Sequence, residues 1–192
     1  MLKKIAQLIL SMLGWQLDDQ LPREKKYVIT GAFHTSNWDF PLGILAMWAL
    51  GLKANWVGKH TLFRGPLGPV FKVMGGIPVD RTIHTGFIHR VAELYKTHDR
   101  MALTIAAEGT RSKTEHWKTG FYFIALEAGV PIALGYLDYS SKRLGVGATI
   151  YPTGDIRKDF ETIREFYSDK AGLRPENQGP IALPPKYHSD SD

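Results

Sequence analysis

Two short polar segments hold residue types suited to acid–base chemistry and anion binding. In the first, HTSNWD at residues 34–39, a histidine stands five residues before an aspartate. Histidine is the side chain most easily used as a base near neutral pH, and a carboxylate on its other ring nitrogen would fix the tautomer and stabilise the imidazolium. Five residues along a continuous helix turn through about 500°, so pairing His34 with Asp39 requires a turn before a helix begins. The alternative is that both side chains are solvated surface groups.

The second polar segment is EGTRS at residues 108–112. Arg111 could grip a phosphate or carboxylate through two parallel hydrogen bonds, and Gly109 would let the backbone approach a ligand closely. Glu108 could orient the arginine or bind a hydroxyl. The competing interpretation is a surface turn with an internal ion pair between Glu108 and Arg111.

Two more basic groups follow predicted strands. Lys59, with His60 beside it, comes directly after a short apolar run, and Arg81 follows residues 77–80. Singly, each is best interpreted as a solvated cation. In parallel α/β folds, however, sites form where loops leave the carboxyl ends of strands, and four such polar groups follow four predicted strands. This arrangement predicts one shared site.

The elements that would position these groups follow from apolar periodicity. The pattern predicts strands at 27–32, 54–58, 77–80, 101–107, 131–139 and 147–151, and helices from 41 to about 51 and at 85–98, 120–128 and 159–167. Their alternation indicates an α/β fold: a single domain with a mostly parallel central sheet flanked by helices, and an antiparallel edge near 131–151. Glycines and prolines predict irregular structure at 64–76, and residues 140–143 read as a turn.

The amino-terminal segment is predicted to be an amphipathic helix. Its apolar run, residues 5–15, would be about 16 Å long as a helix, whereas a bilayer core needs roughly 30 Å, so it cannot span a membrane. Lys3, Gln7 and Ser11 form one narrow polar stripe, and apolar side chains fill the remaining arc. Such a helix suits a membrane interface, although it could instead cap the protein's own core. A signal peptide is disfavoured, because no small-x-small cleavage site follows.

These features divide the chain into three parts: an amphipathic helix at residues 1–20, an α/β domain at 21–171 and an extended carboxyl-terminal tail at 172–192. The tail is rich in proline and glycine and ends in SDSD. We therefore expect it to be loosely held.

Composition narrows the possible functions. The absence of cysteine excludes a disulfide framework, a thiolate metal site and a cysteine nucleophile, and it suits a reducing compartment. The net charge of +5 favours anionic partners. Basic residues are scattered among acidic ones, so nucleic acid is not an expected partner. His84 and His89 stand five apart on a predicted helix and would not share a face, so no metal site is expected.

Taken together and in this order, the segments resemble the glycerolipid acyltransferase family, which includes the lysophosphatidate acyltransferases. HTSNWD at 34–39 resembles the H-x-x-x-x-D motif, EGTRS at 108–112 the third block and VPIAL at 130–134 the fourth. Residues 59–81 resemble the second block, with the expected residues at Lys59, Phe63, Gly76 and Arg81. The motifs cover about residues 27–135. One departure is Gly135, which stands where the fourth block usually ends in proline.

The resemblance implies an O-acyltransferase, with the acyltransferase domain at residues 21–171 and a membrane-associating helix at residues 1–20. Its donor would be a fatty acyl thioester of coenzyme A or acyl carrier protein, and its acceptor the free hydroxyl of a lysophospholipid. The first expectation is 1-acyl-sn-glycerol 3-phosphate, giving phosphatidate. No metal or cofactor is implied. Alternatives are the same chemistry on another lysolipid, an amino-acid lipid or a glycolipid, or a lipid-binding protein or thioesterase on this fold.

Roles for the site residues follow from the resemblance and the residue chemistry together. His34 would be the general base and Asp39 its orienter. The cations Lys59, Arg81 and Arg111 would hold the acceptor phosphate, and Glu108, Gly109 and Thr110 would shape the acceptor site. Backbone N–H groups of the 34–39 turn are the expected oxyanion donors. Many family members have longer hydrophobic amino-terminal segments, whereas this chain has the short amphipathic one. We therefore expect a peripheral enzyme on the cytoplasmic face, bound to the membrane surface through residues 1–17.

Overall fold

The computed structural model of the chain describes residues 1–79 and 86–187. Within them, the α-helices are α1 (Leu2–Met12), α2 (Asp39–Leu50), α3 (Gly68–Val73), α4 (Phe87–Thr97), α5 (Gly120–Ala128) and α6 (Ile156–Tyr167). The strands are β1 (Gln16–Asp19), β2 (Lys26–Ala32), β3 (Ala54–Lys59), β4 (Gly76–Val79), β5 (Met101–Ala106), β6 (Ile132–Asp138) and β7 (Arg143–Ile150). Short 3₁₀ turns lie at His60–Phe63, Pro175–Asn177 and Pro185–Tyr187.

The strands form one sheet in the order β1-β7-β6-β2-β5-β3-β4. Neighbouring strands are parallel except β6 and β7, which are antiparallel. The predicted α/β fold, with a mostly parallel sheet and an antiparallel pair near residues 131–151, is confirmed. β2 lies between β5 and β6, so the segments that follow β2 and β5 leave the same edge of the sheet.

Local sequence explains several of these elements. β5 is an uncharged run because an interior parallel strand is buried on both faces. α2 ends at Gly51, whose φ of 77° lies in the left-handed region that glycine enters without steric cost. α6 begins after Asp155, whose side chain accepts hydrogen bonds from the backbone N–H groups of Arg157 and Lys158.

The helices cover the two faces of the sheet differently. On one face, α4, α5 and α6 enclose a continuous core with large, fully buried aromatic side chains, among them Trp117, Phe121, Phe160 and Tyr167. On the other face, α2 packs over β2, β5 and β6 in a smaller cluster that includes Ile29, Leu50 and Ala133. The HTSNWD segment lies at the amino-terminal end of α2, and Lys59 and Arg111 line a cavity on this second face.

Helix α1 packs on α2 and also leaves a wide apolar face in solvent. Ala6 and Leu10 are buried against α2, and Gln7 donates from Nε2 to the carbonyl oxygen of Ala49 at 3.1 Å. The apolar side chains on the outer arc are exposed: Leu2, Ile5, Leu8, Ile9, Met12 and Leu13. The helix therefore caps part of the core and keeps the exposed face that an interfacial helix would have. Among the described residues, no helix combines the length and the apolar character needed to cross a bilayer.

Two elements differ from the sequence-based prediction near the ends of the sheet. The first helix ends at Met12 rather than near residue 20, and residues 16–19 form β1 parallel to β7. β7 begins at Arg143, inside the expected turn. β1 is short and polar, and it pairs with the distant β7; at the start of this pairing Gln16 N donates to the carbonyl oxygen of Lys142, the residue before β7, at 2.9 Å. Pairing with a distant strand, rather than local propensity, produces both elements.

Two expectations about irregular or loose segments also differ from the structure. Residues 68–73 form α3 within the stretch expected to be irregular, because Pro69 lies in the first helical turn, where its missing N–H costs no bond. The described part of the tail is bonded to the domain: Trp117 N donates to Ala182 O at 2.9 Å, and Leu183 is buried. Backbone hydrogen bonds hold the tail despite its composition.

Candidate active site

The structure brings His34 and Asp39 together in a turn between β2 and α2. His34 follows the end of β2, and Asp39 is the first residue of α2. The imidazole Nδ1 lies 3.3 Å from the Asp39 Oδ2 atom. The carboxyl is buried, whereas the imidazole is partly exposed and lines a cavity. The chain therefore makes the turn that the five-residue spacing requires.

Asp39 is held as an ionised acceptor. Its Oδ2 accepts hydrogen bonds from the N–H groups of Thr35 and Ser36, each at 2.7 Å, and its Oδ1 accepts from the Tyr139 hydroxyl at 2.8 Å. Burial by itself would raise the pKa of Asp39, but hydrogen bonds from His34, the Ser36 amide and Tyr139 outweigh it, and the pKa is lowered. An ionised Asp39 favours the proton on His34 Nδ1, which leaves Nε2 with the lone pair needed to accept a proton.

Most backbone N–H groups of this turn already donate within the protein. Those of His34, Thr35, Ser36, Trp38 and Asp39 have protein acceptors, so these five are not free to serve as the oxyanion donors that the sequence suggested. The Ser36 hydroxyl accepts from Trp38 N at 3.2 Å. These bonds fix the position of the imidazole before any substrate is bound.

Glu108 lies behind the turn rather than on the cavity wall. Its Oε1 accepts a hydrogen bond from the backbone N of His34 at 3.1 Å, and its buried Oε2 has no hydrogen-bond partner among the described residues. Burial raises the pKa of Glu108 to about 7. Its substrate-binding role stays a prediction. The observed geometry links the third motif to the first and gives Glu108 a positioning role for His34.

The neighbouring residues of the EGTRS segment do reach the cavity. Gly109, Thr110 and Arg111 line it, and Gly109 turns the chain with a φ of 67°. Arg111 donates from Nη1 to the Asn37 Oδ1 atom, which ties the arginine to the 34–39 turn. The competing interpretation, an ion pair between Glu108 and Arg111, does not appear among the ion pairs of the described residues. Lys59, at the end of β3, is exposed and lines the same cavity. Arg81 lies outside the described residues.

An apolar cavity of about 500 Å³ extends from this polar cluster between α2 and the sheet. The α2 residues that line it run from Asp39 to Leu50, which is about 16 Å of helix. The sheet contributes small and apolar positions: Ile29, Gly31, Ala106, Gly135 and Val146. On α2, Gly43 also lines the cavity, and a Cβ built there would meet no heavy atom within 4 Å. The polar groups stand at the α2 amino-terminal end of a long apolar space.

Gly135, the departure from the fourth motif, has a structural explanation. It lies on β6 against β2 and lines the cavity. A Cβ at this position would stand 2.8 Å from Ile29 Cγ2 and 3.0 Å from the Thr30 carbonyl oxygen. Glycine is therefore the residue that fits this contact between strands.

Sequence reasoning missed a second support of the site, made by residues far along the chain. The Tyr139 hydroxyl contacts Asp39 across 100 positions. Tyr139 N in turn donates to Ala171 O, and Arg174 N donates to the Thr35 Oγ1 atom at 3.2 Å. Contacts from the carboxyl-terminal segment thus help to hold the 34–39 turn in place. No local pattern indicates these contacts, because isolated tyrosine and arginine residues carry no spacing signal.

Comparisons with known proteins agree with this geometry. A profile of the acyltransferase family matches residues 15–133, which is more than half of the chain. Comparison with curated protein sequences gives no match. Among solved structures, the chain is similar to the 1-acyl-sn-glycerophosphate (LPA) acyltransferase PlsC from Thermotoga maritima, with a TM-score of 0.61 and 15% sequence identity. The similarity covers 89% of this chain and 80% of that one. At this identity the likeness shows a shared fold.

Proposed function

Because the chain belongs to the acyltransferase family, we propose that it transfers a fatty acyl group from an acyl thioester to the free hydroxyl of a lysophospholipid. The proposed acceptor is 1-acyl-sn-glycerol 3-phosphate, and the product is phosphatidate. One observation carries the proposal: the His34–Asp39 pair stands where a long apolar cavity meets two cationic side chains, Lys59 and Arg111. The cavity suits an acyl chain, the His34–Asp39 pair suits a reacting hydroxyl, and the two cations suit a phosphate.

The proposed reaction uses His34 first as a base and then as an acid. As the acceptor oxygen bonds to the thioester carbonyl carbon, Nε2 takes the hydroxyl proton, and ionised Asp39 stabilises the imidazolium through Nδ1. The tetrahedral intermediate collapses with cleavage of the carbon–sulfur bond. The proton on Nε2 then passes to the departing thiolate, which leaves as a thiol. A positioned base of this kind contributes about 10²–10⁴-fold to the rate.

The cations would place the acceptor. Arg111 is tied to Asn37 in the catalytic turn, so a phosphate bound by its guanidinium stays close to His34. Lys59 faces the same cavity from β3. Arg81 is proposed as a third phosphate ligand, because it follows β4 in the sequence.

The apolar cavity would hold the acyl chain of the donor. Its length along α2 and its lining of aliphatic and glycine residues suit a hydrocarbon chain, and burial of apolar surface would favour binding by about 25 cal/mol per Å². With the chain inside, the thioester would lie at the polar end, beside His34. Coenzyme A and acyl carrier protein are both proposed carriers of the thioester.

We propose that the protein works as a peripheral enzyme on the cytoplasmic face of a membrane. The exposed apolar arc of α1 supports this proposal, since it leaves Leu2, Ile5, Leu8 and Met12 without partners in the described fold. Lys3 and Lys4 at the start of the helix would face anionic headgroups.

Product identification tests the proposal. The full chain would be incubated with a long-chain acyl-CoA or the matching acyl carrier protein thioester, together with a panel of lysolipids, and the products identified by mass spectrometry. We expect phosphatidate from lysophosphatidate, with thiol release stimulated by this acceptor. Thiol release that no acceptor stimulates, with free fatty acid as the product, would instead identify a thioesterase. Transfer only to another lysolipid would overturn the acceptor assignment alone.

A further inference from the structure

A second apolar and basic surface lies beside the site, on the segment from β3 to α3. We call it the α3 surface; its apolar members are Leu62, Leu67, Val70 and Val73, and its basic members are Lys59, Arg64 and Lys72. The apolar side chains are 47%, 58%, 51% and 89% exposed, in that order. Four such residues within twelve positions form a concentrated patch, whereas single exposed apolar residues are ordinary.

The sequence that carries this patch is basic as far as residue 79, and Asp80 follows it. Residues 40–79 contain Lys53, Lys59, Arg64 and Lys72 and no acidic residue. The three cations of the α3 surface are exposed, and none forms an ion pair within residues 1–79 and 86–187. Aliphatic side chains interleaved with exposed cations match the chemistry of an anionic bilayer surface, where the chains enter the interface and the cations meet lipid phosphates.

The position of the α3 surface also favours a bilayer. Its segment forms one wall of the apolar cavity, through Lys59, Leu62 and Phe71. The Phe71 ring contacts the Phe40 ring of α2 at 6.1 Å between centroids. Helix α1 packs on α2 as well, so α1 and the segment of the α3 surface both contact α2.

From these observations we infer that the α3 surface is a second membrane-contacting surface, which binds an anionic bilayer together with α1 and turns the wall of the cavity toward the lipid. This inference extends the proposed function, since substrates with acyl chains would then reach the cavity directly from the bilayer. Two separated contacts would also fix the orientation of the domain, which one amphipathic helix cannot do alone.

The cysteine-free sequence allows a direct test. Val73→Cys would be labelled with an environment-sensitive fluorophore, and Thr162→Cys, exposed on α6 across the sheet, would be the matched control. Each labelled chain would be titrated with vesicles of phosphatidylcholine and phosphatidylglycerol, without acyl donor or lysolipid. We expect a several-fold rise and a blue shift in emission at position 73 and no change at position 162. No change at position 73 in vesicle-bound protein would overturn the inference.

A second variant keeps α1 intact and changes only the α3 surface. Val70→Asp with Val73→Asp should weaken vesicle binding about ten-fold or more, because carboxylates are costly in the membrane interface. Leu126→Asp with Thr162→Asp adds the same charge across the sheet and should bind like the unmodified chain. Equal vesicle binding by both double variants would refute the inference. A fluorescence change at position 73 that depends on protein concentration, without vesicles, would indicate self-association and would also refute it. The same holds for a change produced by an acidic carrier protein and not by vesicles. The assay contains no substrate, so its result is independent of whether the protein transfers acyl groups.

Discussion

On one face of the sheet, α4, α5 and α6 bury large aromatic side chains in contact with one another, as when Trp117 and Phe160 meet edge to face at 5.9 Å. On the other face, α2 leaves an apolar space of about 500 Å³ lined in part by Gly31, Gly43 and Gly135. Both faces are apolar, but only the first is filled by the chain's own side chains. An apolar face that keeps a cavity after folding is available for an apolar ligand.

The comparison separates two kinds of residue by what their substitution should change. Residues of the packed face should affect the free energy of unfolding. Residues that line the open face should affect substrate preference, with little effect on stability. The polar turn at residues 34–39 lies at the edge of the open face and should affect turnover.

The largest expected effect is on the packed face. Phe160→Ala removes a fully buried ring from the α6 core and should cost about 3–5 kcal/mol of unfolding free energy, because a cavity replaces its contacts. Urea denaturation followed by circular dichroism would measure this. A loss below about 1 kcal/mol would show that the face relaxes freely and would remove the distinction between the two faces.

Asp39→Asn should lower kcat about 10²–10³-fold with a near-normal fold, since the amide keeps the shape but not the charge that stabilises the imidazolium. Tyr139→Phe removes one hydrogen bond to the same carboxyl and serves as the graded control, with a smaller loss. Initial rates of thiol release at saturating substrates would measure both. Unchanged turnover in Asp39→Asn would contradict the orienting role.

Glu108 accepts a hydrogen bond from His34 N, behind the open face. Because its pKa is raised by burial, we expect the free energy of unfolding to depend on pH. Its folded pKa, about 7, is above the unfolded value of 4.5, so the folded state keeps a proton that the unfolded state loses. The stabilising contribution is complete below about pH 4.5, falls as the pH rises toward 7 and is then lost.

Glu108→Gln should therefore gain stability relative to the unmodified protein between pH 5 and pH 8, by on the order of 2 kcal/mol. Urea denaturation at both pH values would measure the difference. Glu161→Gln, an exposed position on α6, should show no such change. Parallel pH profiles for the unmodified protein and Glu108→Gln would refute the prediction.

Gly43→Leu tests whether the cavity on the open face holds the acyl chain. A side chain there projects into empty space, so it should shorten the cavity without loss of stability, and replacing a helical glycine adds a small gain. We expect kcat/KM for long-chain donors to fall about ten-fold relative to short-chain donors, in line with small steric changes in apolar sites. Gly120→Leu on α5, which also meets open space but does not line the cavity, should leave chain preference unchanged. An unchanged preference in Gly43→Leu would exclude the cavity as the acyl site.

The fold was predictable where one element carries its own signal. The uncharged β5 run, the 3.6-residue period of α4 and the glycine after α2 each indicate local structure directly. β1 and the anchored tail were not predictable, because their bonds come from Lys142 and Trp117, which are far away in sequence. The order of strands in the sheet likewise depends on pairing between distant segments.

The site divides in the same way. The placement of His34, Asp39, Lys59 and Arg111 around one cavity was predictable, because parallel strands end at the same sheet edge. The role of Glu108 was not, since its residue type fits a ligand, an ion pair or a buried support equally well. The use of the turn's N–H groups by Asp39 also depends on backbone geometry that spacing alone does not specify.

The central claim is that the Asp39-oriented imidazole of His34 is the general base of acyl transfer. The most direct test compares His34→Ala with His98→Ala, an exposed histidine after α4, in acceptor-stimulated thiol release from acyl-CoA. The account predicts a fall in kcat of about 10²–10⁴-fold for His34→Ala, an unchanged KM for the donor, and normal activity for His98→Ala. A folded His34→Ala protein that transfers acyl groups at the unmodified rate would contradict it.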